Sequence, residues 1–177
     1  MNVQENKITK LCSFYVSDWH LVTMLLPYLN RKINEQAKIA TILEKSIKEN
    51  VITLVEKLNL KNKDKMVNLN WEQAGKGENV FRHVADEKEE IIIINGTKEF
   101  IEAKNKRLEQ YWKTHHIRQN VKIINCYEAL ALEGEISSIL DEHDKILNTS
   151  GEKEITEIFQ DYQKNYAPET KAVVGLE

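Results

Sequence analysis

The stretch LCSFYVSDWHLVTMLLPYLNRK, residues Leu11 to Lys32, decides how the chain is read. Leu11–Val16 is apolar and aromatic, the composition of a buried strand. From Leu21 onward the period changes. Leu21, Met24, Leu25, Tyr28, Leu29 and Ile33 recur every three or four positions, as on one face of a helix. Asp18 stands at the junction as a helix cap, and the periodicity carries the helix to about Gln36. Pro27 lacks a backbone donor and crowds the carbonyl of Thr23, so a kink is expected there. A strand that feeds directly into an amphipathic helix is the building unit of an α/β protein.

The same unit recurs downstream. Lys38–Leu43 (KIATIL) reads as strand two, and a helix opening at Lys45 or Ser46 carries Ile47, Val51, Leu54, Val55 and Leu58 on one face. Met66–Leu69 (MVNL) reads as a short third strand. A polar loop over Trp71–Glu78 and a short helix over Asn79–Asp86 follow it. Ile91–Ile94 is β-branched throughout, as a strand buried on both faces should be, and reads as strand four. Asn95-Gly96-Thr97 turns the chain, and Thr97 caps a helix bearing Phe100, Lys104, Leu108 and His115. Val121–Cys126 (VKIINC) is strand five, followed by a helix over Ile136–Leu147. A break at Ser150 or Gly151 precedes a last amphipathic helix, Glu152–Tyr166, and the tail beyond Pro168 is expected to fray. The pattern predicts a three-layer α/β/α fold with a mainly parallel five-stranded sheet. It places one domain at 8–150 and a C-terminal helix and tail at 151–177.

Composition narrows the function classes. The 177 residues are enough for one domain with a real core. A net charge of −3 with acids and bases mixed offers no basic face for a phosphate backbone, so direct nucleic-acid binding is not expected. No apolar run approaches the roughly 20 residues that cross a bilayer, so no membrane partner is expected. The first ten residues, MNVQENKITK, hold no apolar segment of the kind a signal peptide needs. Cys12 and Cys126 both fall in predicted buried strands. They read as reduced core thiols, which suits a cytoplasmic protein.

Ligands of open α/β sheets bind at the carboxyl ends of the strands. Those ends supply the candidate ligand-binding residues: Ser17, Asp18, Trp19 and His20 after strand one, and Glu44 after strand two. Asn70 and Trp71 follow strand three, Asn95 and Thr97 follow strand four, and Tyr127 and Glu128 follow strand five. Aromatic walls with a few polar groups suit a small molecule. The plainer reading makes Asp18 and Thr97 caps, with Trp19 and Trp71 covering the edge of the core.

Nucleotide chemistry is not expected. A phosphate loop needs GxxxxGK[ST] directly after a strand, and strand one is followed by YVSDWHL, with neither glycine nor lysine. Gly75-Lys76-Gly77 has the wrong spacing, and no GxGxxG occurs. IIIIN has the apolar run of a Walker B strand, but Asn95 stands where an aspartate would hold Mg²⁺. Metal ligation has no pattern either. His115-His116 and Glu142-His143-Asp144 are adjacent residues that point apart, and Asp18 with His20 makes only two ligands. No cofactor is expected. The one catalytic alternative is a thiol nucleophile, Cys126, with His20 as its base.

Two segments, KLCSFYVSDWHLVTMLLPYLNRKINEQAKIATILE (10–44) and VKIINCYEA (121–129), resemble the MEDS family of RecA-like sensory domains. Cys12, Tyr15, Leu26-Pro27-Tyr28 and Cys126-Tyr127 carry the resemblance, which extends over residues 8–147. Lys10 stands where the family has a histidine, and Gln36-Ala37 where it has Gly-Glu. The resemblance implies a RecA-like domain, lacking a Walker A loop, that senses a ligand and does not hydrolyse nucleotides. It implies a stand-alone regulator, since no DNA-binding or kinase module is visible. The alternatives are an oligomeric or protein-interaction scaffold acting through the 152–166 helix, and the Cys126–His20 enzyme.

Overall fold

The computed structural model describes residues 8–74, 89–115 and 120–163. In chain order the elements are β1 (Ile8–Tyr15), α1 (Asp18–Asn34), β2 (Lys38–Leu43), α2 (Lys48–Lys57), α3 (Lys63–Val67) and β3 (Glu90–Asn95). Then come α4 (Lys98–Thr114), β4 (Val121–Glu128), α5 (Ile136–Asp141), β5 (Lys145–Asn148), β6 (Gly151–Glu154) and the one-turn α6 (Ile155–Ile158).

β1 lies inside the sheet, whose order is β2-β3-β4-β1-β5-β6. Every pairing is parallel except the β5–β6 hairpin. Alternation along the strands divides the core into two layers. Leu11 and Tyr15 of β1, Ile91 and Ile93 of β3, and Ile124 and Cys126 of β4 pack against α1, α2 and α3. Cys12, Ile92, Ile94, Ile123 and Tyr127 pack on the other face against α4, α5 and α6. The fold is therefore the expected three-layer α/β architecture, with six strands instead of five.

Several boundaries differ from the sequence reading. Met66–Leu69 is not a strand. Met66 ends up fully buried within α3, packed with α1 and α2. The helix expected over Ile136–Leu147 stops at Asp141, and Lys145–Asn148 becomes β5, paired with β1 through Leu11–Lys145 and Cys12–Ile146. The last helix expected over Glu152–Tyr166 is instead β6 followed by α6, as far as residue 163. The boundary drawn at 150 thus falls inside a hairpin, and Gly151–Glu154 belongs to the sheet. Gly151 has φ +104, a backbone conformation that L side chains rarely adopt, so the turn favours glycine. α1 is capped by Ser17, with Asp18 as its first residue, and it runs through Pro27 without interruption. α2 starts at Lys48, two to three residues later than expected. The helix expected over Asn79–Asp86 and the Gly75-Lys76-Gly77 loop lie outside the described residues.

Both sheet edges are managed. β6 reads Gly-Glu-Lys-Glu, a charged edge that resists pairing with another chain. Beside β2, the Thr41 hydroxyl donates to the carbonyl of Asn70, and the Ala74 N–H donates to Leu43 O at 2.7 Å. Trp71 is carried into the core by this segment and is 1% exposed.

Within the β6 edge, Glu152 accepts from Tyr28 Oη and Lys122 Nζ, each at 2.7 Å. Burial alone would raise the Glu152 carboxyl, but the hydrogen bonds from Lys122 and Tyr28, with the charges of Lys122 and Lys32, hold it below its usual range. A depressed carboxyl stabilises the fold above its unfolded value and loses that contribution as pH falls through its folded one. Glu152→Gln is expected to cost about 1–3 kcal/mol at neutral pH. The deficit should shrink as the wild type is acidified below about pH 4. Urea unfolding of both proteins at pH 7 and pH 3 checks this.

Candidate functional site

From the end of β1 the chain leaves over one face of the sheet into α1, and from the end of β4 it leaves over the other into α5. The two strands are neighbours, with Tyr15 opposite Glu128. This divergence is where an open α/β sheet forms a crevice. A cavity of about 570 Å³ lies there. Tyr15, Asn95 and Tyr127, all nearly fully buried, line its inner part. Glu44 and Lys45 come from the end of β2, and Gly96, Thr97, Lys98 and Glu99 from the start of α4. Leu132 and Glu135, in the segment between β4 and α5, complete the wall.

Asn95 is the centre of this arrangement. Its Nδ2 donates to Tyr15 Oη at 2.8 Å and to the carbonyl of Cys126 at 3.0 Å. A carbonyl can only accept, which fixes the amide nitrogen on that side. The other end, Oδ1, is buried with no hydrogen-bond partner. Among the described residues it is the single such side-chain atom. Burial pushes the Tyr15 phenol up to about 12, tempered by the hydrogen bond from Asn95, so the ring stays neutral.

Two backbone N–H groups at the start of α4 are taken by the protein's own side chains. Thr97 Oγ1 accepts from Phe100 N at 3.2 Å, as the sequence suggested for this cap. Glu44 Oε1 accepts from Thr97 N at 2.8 Å. Gly96 permits this approach, because a Cβ there would lie 2.6 Å from Phe100 Cδ1 and 2.9 Å from Glu44 Cβ.

Of the candidates read from the sequence, Glu44, Asn95, Thr97, Tyr127 and Glu128 line the cavity. The others do not. Ser17 is spent as the α1 cap, accepting from His20 N, and His20 Nδ1 accepts from Val16 N at 3.0 Å. Asp18 pairs with Lys45 at 3.3 Å, and Trp19 is 49% exposed. Asn70 Oδ1 accepts from Glu72 N, and the Trp71 indole donates to Met66 O in the core, because the strand that would have put them at the sheet's carboxyl edge is a helix. Tyr15 was missed, although the i, i+2 series Leu11, Ser13, Tyr15 marks it as the last inward residue of β1. Glu135 has no local signal, since only the fold-back after β4 brings it to the wall.

Cys126 is fully buried, and desolvation pushes its thiol up. Cys12 is likewise raised by burial, to about 12. Neither carries the thiolate a nucleophile needs at neutral pH. Both are expected to resist iodoacetamide in the native protein and to react only in denaturant, as intact-mass measurement would show. Among the described residues, no group of three or more His, Cys, Asp and Glu side chains could hold a metal ion. No helix among them is long and apolar enough to cross a membrane.

A second cavity of about 490 Å³ lies beside α4, next to a buried polar chain. Asn105 Nδ2 donates to Asn125 Oδ1 at 2.9 Å, and Asn125 Nδ2 lies 3.0 Å from His143 Nε2. His143 Nδ1 lies 2.5 Å from the carbonyl of Ile139, which can only accept. The ring is therefore protonated at Nδ1 and accepts at Nε2.

Together, fold and site define an α/β protein with a partly open cavity, apolar within and acidic at its rim, at a strand-end switch point. No protein-family model matches the chain, and no curated protein and no solved structure matches it.

Proposed function

We propose that the protein is a non-catalytic ligand-sensing module that binds a small molecule at the carboxyl ends of β1 to β4. The observation that carries this is the Asn95 Oδ1 atom, buried beside the cavity with its hydrogen-bonding capacity unused. Leaving such a group unpaired costs about 1–3 kcal/mol, a cost that a bound donor removes. The resemblance to the MEDS family supports the same reading, in which a RecA-like domain without a phosphate loop serves as a sensor. β4 lies between β1 and β3, so Asn95 is hydrogen-bonded across β4 to Tyr15. The scaffold alternative loses its basis over residues 152–163, where the expected docking helix is a strand and a single helical turn.

Thermal-shift screening of a metabolite library tests the proposal. A ligand at a hundredfold excess over its Kd should stabilise the fold by about 2.7 kcal/mol and raise Tm by a few degrees. That shift should disappear in Asn95→Leu and fall in Glu128→Lys, which changes only an exposed side chain. A ligand whose effect survives both variants binds elsewhere and overturns the assignment, as does a library with no stabilising member.

A further inference from the structure

We infer that the strand-end cavity takes an organic cation bearing N–H donors, an alkylammonium or a guanidinium, and rejects phosphate. This rests on the ligand-binding reading above and adds the chemical class. Three independent features point the same way.

The first is charge. Four carboxylates, Glu44, Glu99, Glu128 and Glu135, line the cavity against two ammonium groups, Lys45 and Lys98. Both ammonium groups are already held by carboxylates. Lys45 lies 3.3 Å from Asp18, and Lys98 lies 3.5 Å from Glu135 and 3.8 Å from Glu102. An arriving anion would meet excess negative charge, whereas a cation would be drawn in.

The second is the N-terminus of α4, a 17-residue helix whose first turn faces the cavity. Such a terminus ordinarily favours phosphate. Here the Glu44 carboxylate occupies the Thr97 N–H and the Thr97 hydroxyl occupies the Phe100 N–H. The protein supplies its own anion at this position, and a phosphate would have to displace it against like charge.

The third is Asn95. Its Nδ2 is fixed by Tyr15 and Cys126, so the atom it leaves unused is an acceptor. An acceptor buried in a low-dielectric wall selects a donor, and a charged N–H donor makes the stronger bond. The remaining N–H groups of an ammonium or guanidinium then face the acidic rim, while Leu132 and Tyr127 offer apolar surface to a hydrocarbon stem.

The test uses probes with a short alkyl stem, butyl or propyl, that differ in head group: n-butylammonium, n-butylguanidinium, butyramide and butyrate, with inorganic phosphate, all at constant ionic strength. ¹⁵N-labelled protein is titrated with each, following the backbone amides of Asn95, Gly96 and Thr97. Saturable shifts are expected with one or both cations, at least tenfold tighter than butyramide, and none with butyrate or phosphate. The double variant Glu128→Gln/Glu135→Gln, which alters only exposed side chains, should weaken the cations about tenfold and leave butyramide unchanged. If butyramide, butyrate or phosphate binds as tightly as the cations, the charge class is wrong while the ligand-binding reading stands. If no probe shifts these amides but the metabolite screen yields a cavity ligand, the present inference alone falls. If neither experiment finds a ligand, both fall.

Discussion

Replacing Trp71 with alanine is expected to lower the unfolding free energy by about 3–5 kcal/mol, the cost of emptying a large aromatic site in a packed core. The indole is 1% exposed and sits among residues of α1, α2 and α3. Its Nε1 donates to Met66 O at 2.7 Å, so the substitution also removes a buried hydrogen bond, although Met66 O still accepts from Leu69 N at 3.2 Å. The backbone of Trp71 accepts from Ile47 N at 3.0 Å, which ties the covering segment of β2 to the start of α2. Trp19→Ala provides the contrast. That side chain is 49% exposed, and its loss should change stability by less than about 0.5 kcal/mol. Urea unfolding of the two variants side by side measures the difference, and equal costs would contradict the packing described.

Asn125→Leu is the second large effect, expected at about 2–4 kcal/mol. Asn125 sits in β4 and points toward α4, where its amide exchanges hydrogen bonds with Asn105 at 2.9 and 3.3 Å. It also provides the donor that His143 Nε2 accepts at 3.0 Å. Leucine fills similar volume, so the cost reports polar groups deprived of a partner and not a cavity. The double variant Asn105→Leu/Asn125→Leu separates these terms. If unpaired polarity is the cause, the second substitution should cost less in the Asn125→Leu background than alone. Simple additivity would refute the network.

The layer architecture was legible because its signal is local. Leu11–Tyr15, Lys38–Leu43, Ile91–Ile94 and Val121–Cys126 are apolar runs of strand length, each lying next to a helix with a 3.6-residue period. What failed was specified by partners far along the chain. Lys145–Asn148 has only two buried residues and is a strand because β1 accepts it at an open edge. Met66–Leu69 has an apolar appearance that suits a strand or a buried helical turn equally, and packing against α1 decided for the turn.

The candidate site divided along the same line. Asn95 ends β3 and Thr97 follows it, while Tyr127 and Glu128 end β4, two residues beyond the expected end at Cys126, and all four meet in the cavity. Asn70 and Trp71 were assigned to a strand that does not exist. Trp19 and His20 lie beyond a correctly read strand, but a helix starting at Asp18 turns them away from the cavity wall.

The place of β1 in the sheet has a consequence for how the chain is made. This strand is made before the rest of the sheet, yet its neighbours are β4 and β5, which lie more than a hundred residues downstream. Until Val121 and the residues after it emerge, Leu11, Cys12 and Tyr15 have no sheet to join, and β2 with β3 can form only a fragment that lacks its middle. Closing so long a loop is slow, and an unpaired apolar strand is exposed to wrong partners meanwhile. A nascent chain arrested before β4 should therefore bind holdase chaperones and be protease-sensitive, with protection arriving abruptly once β4 is out.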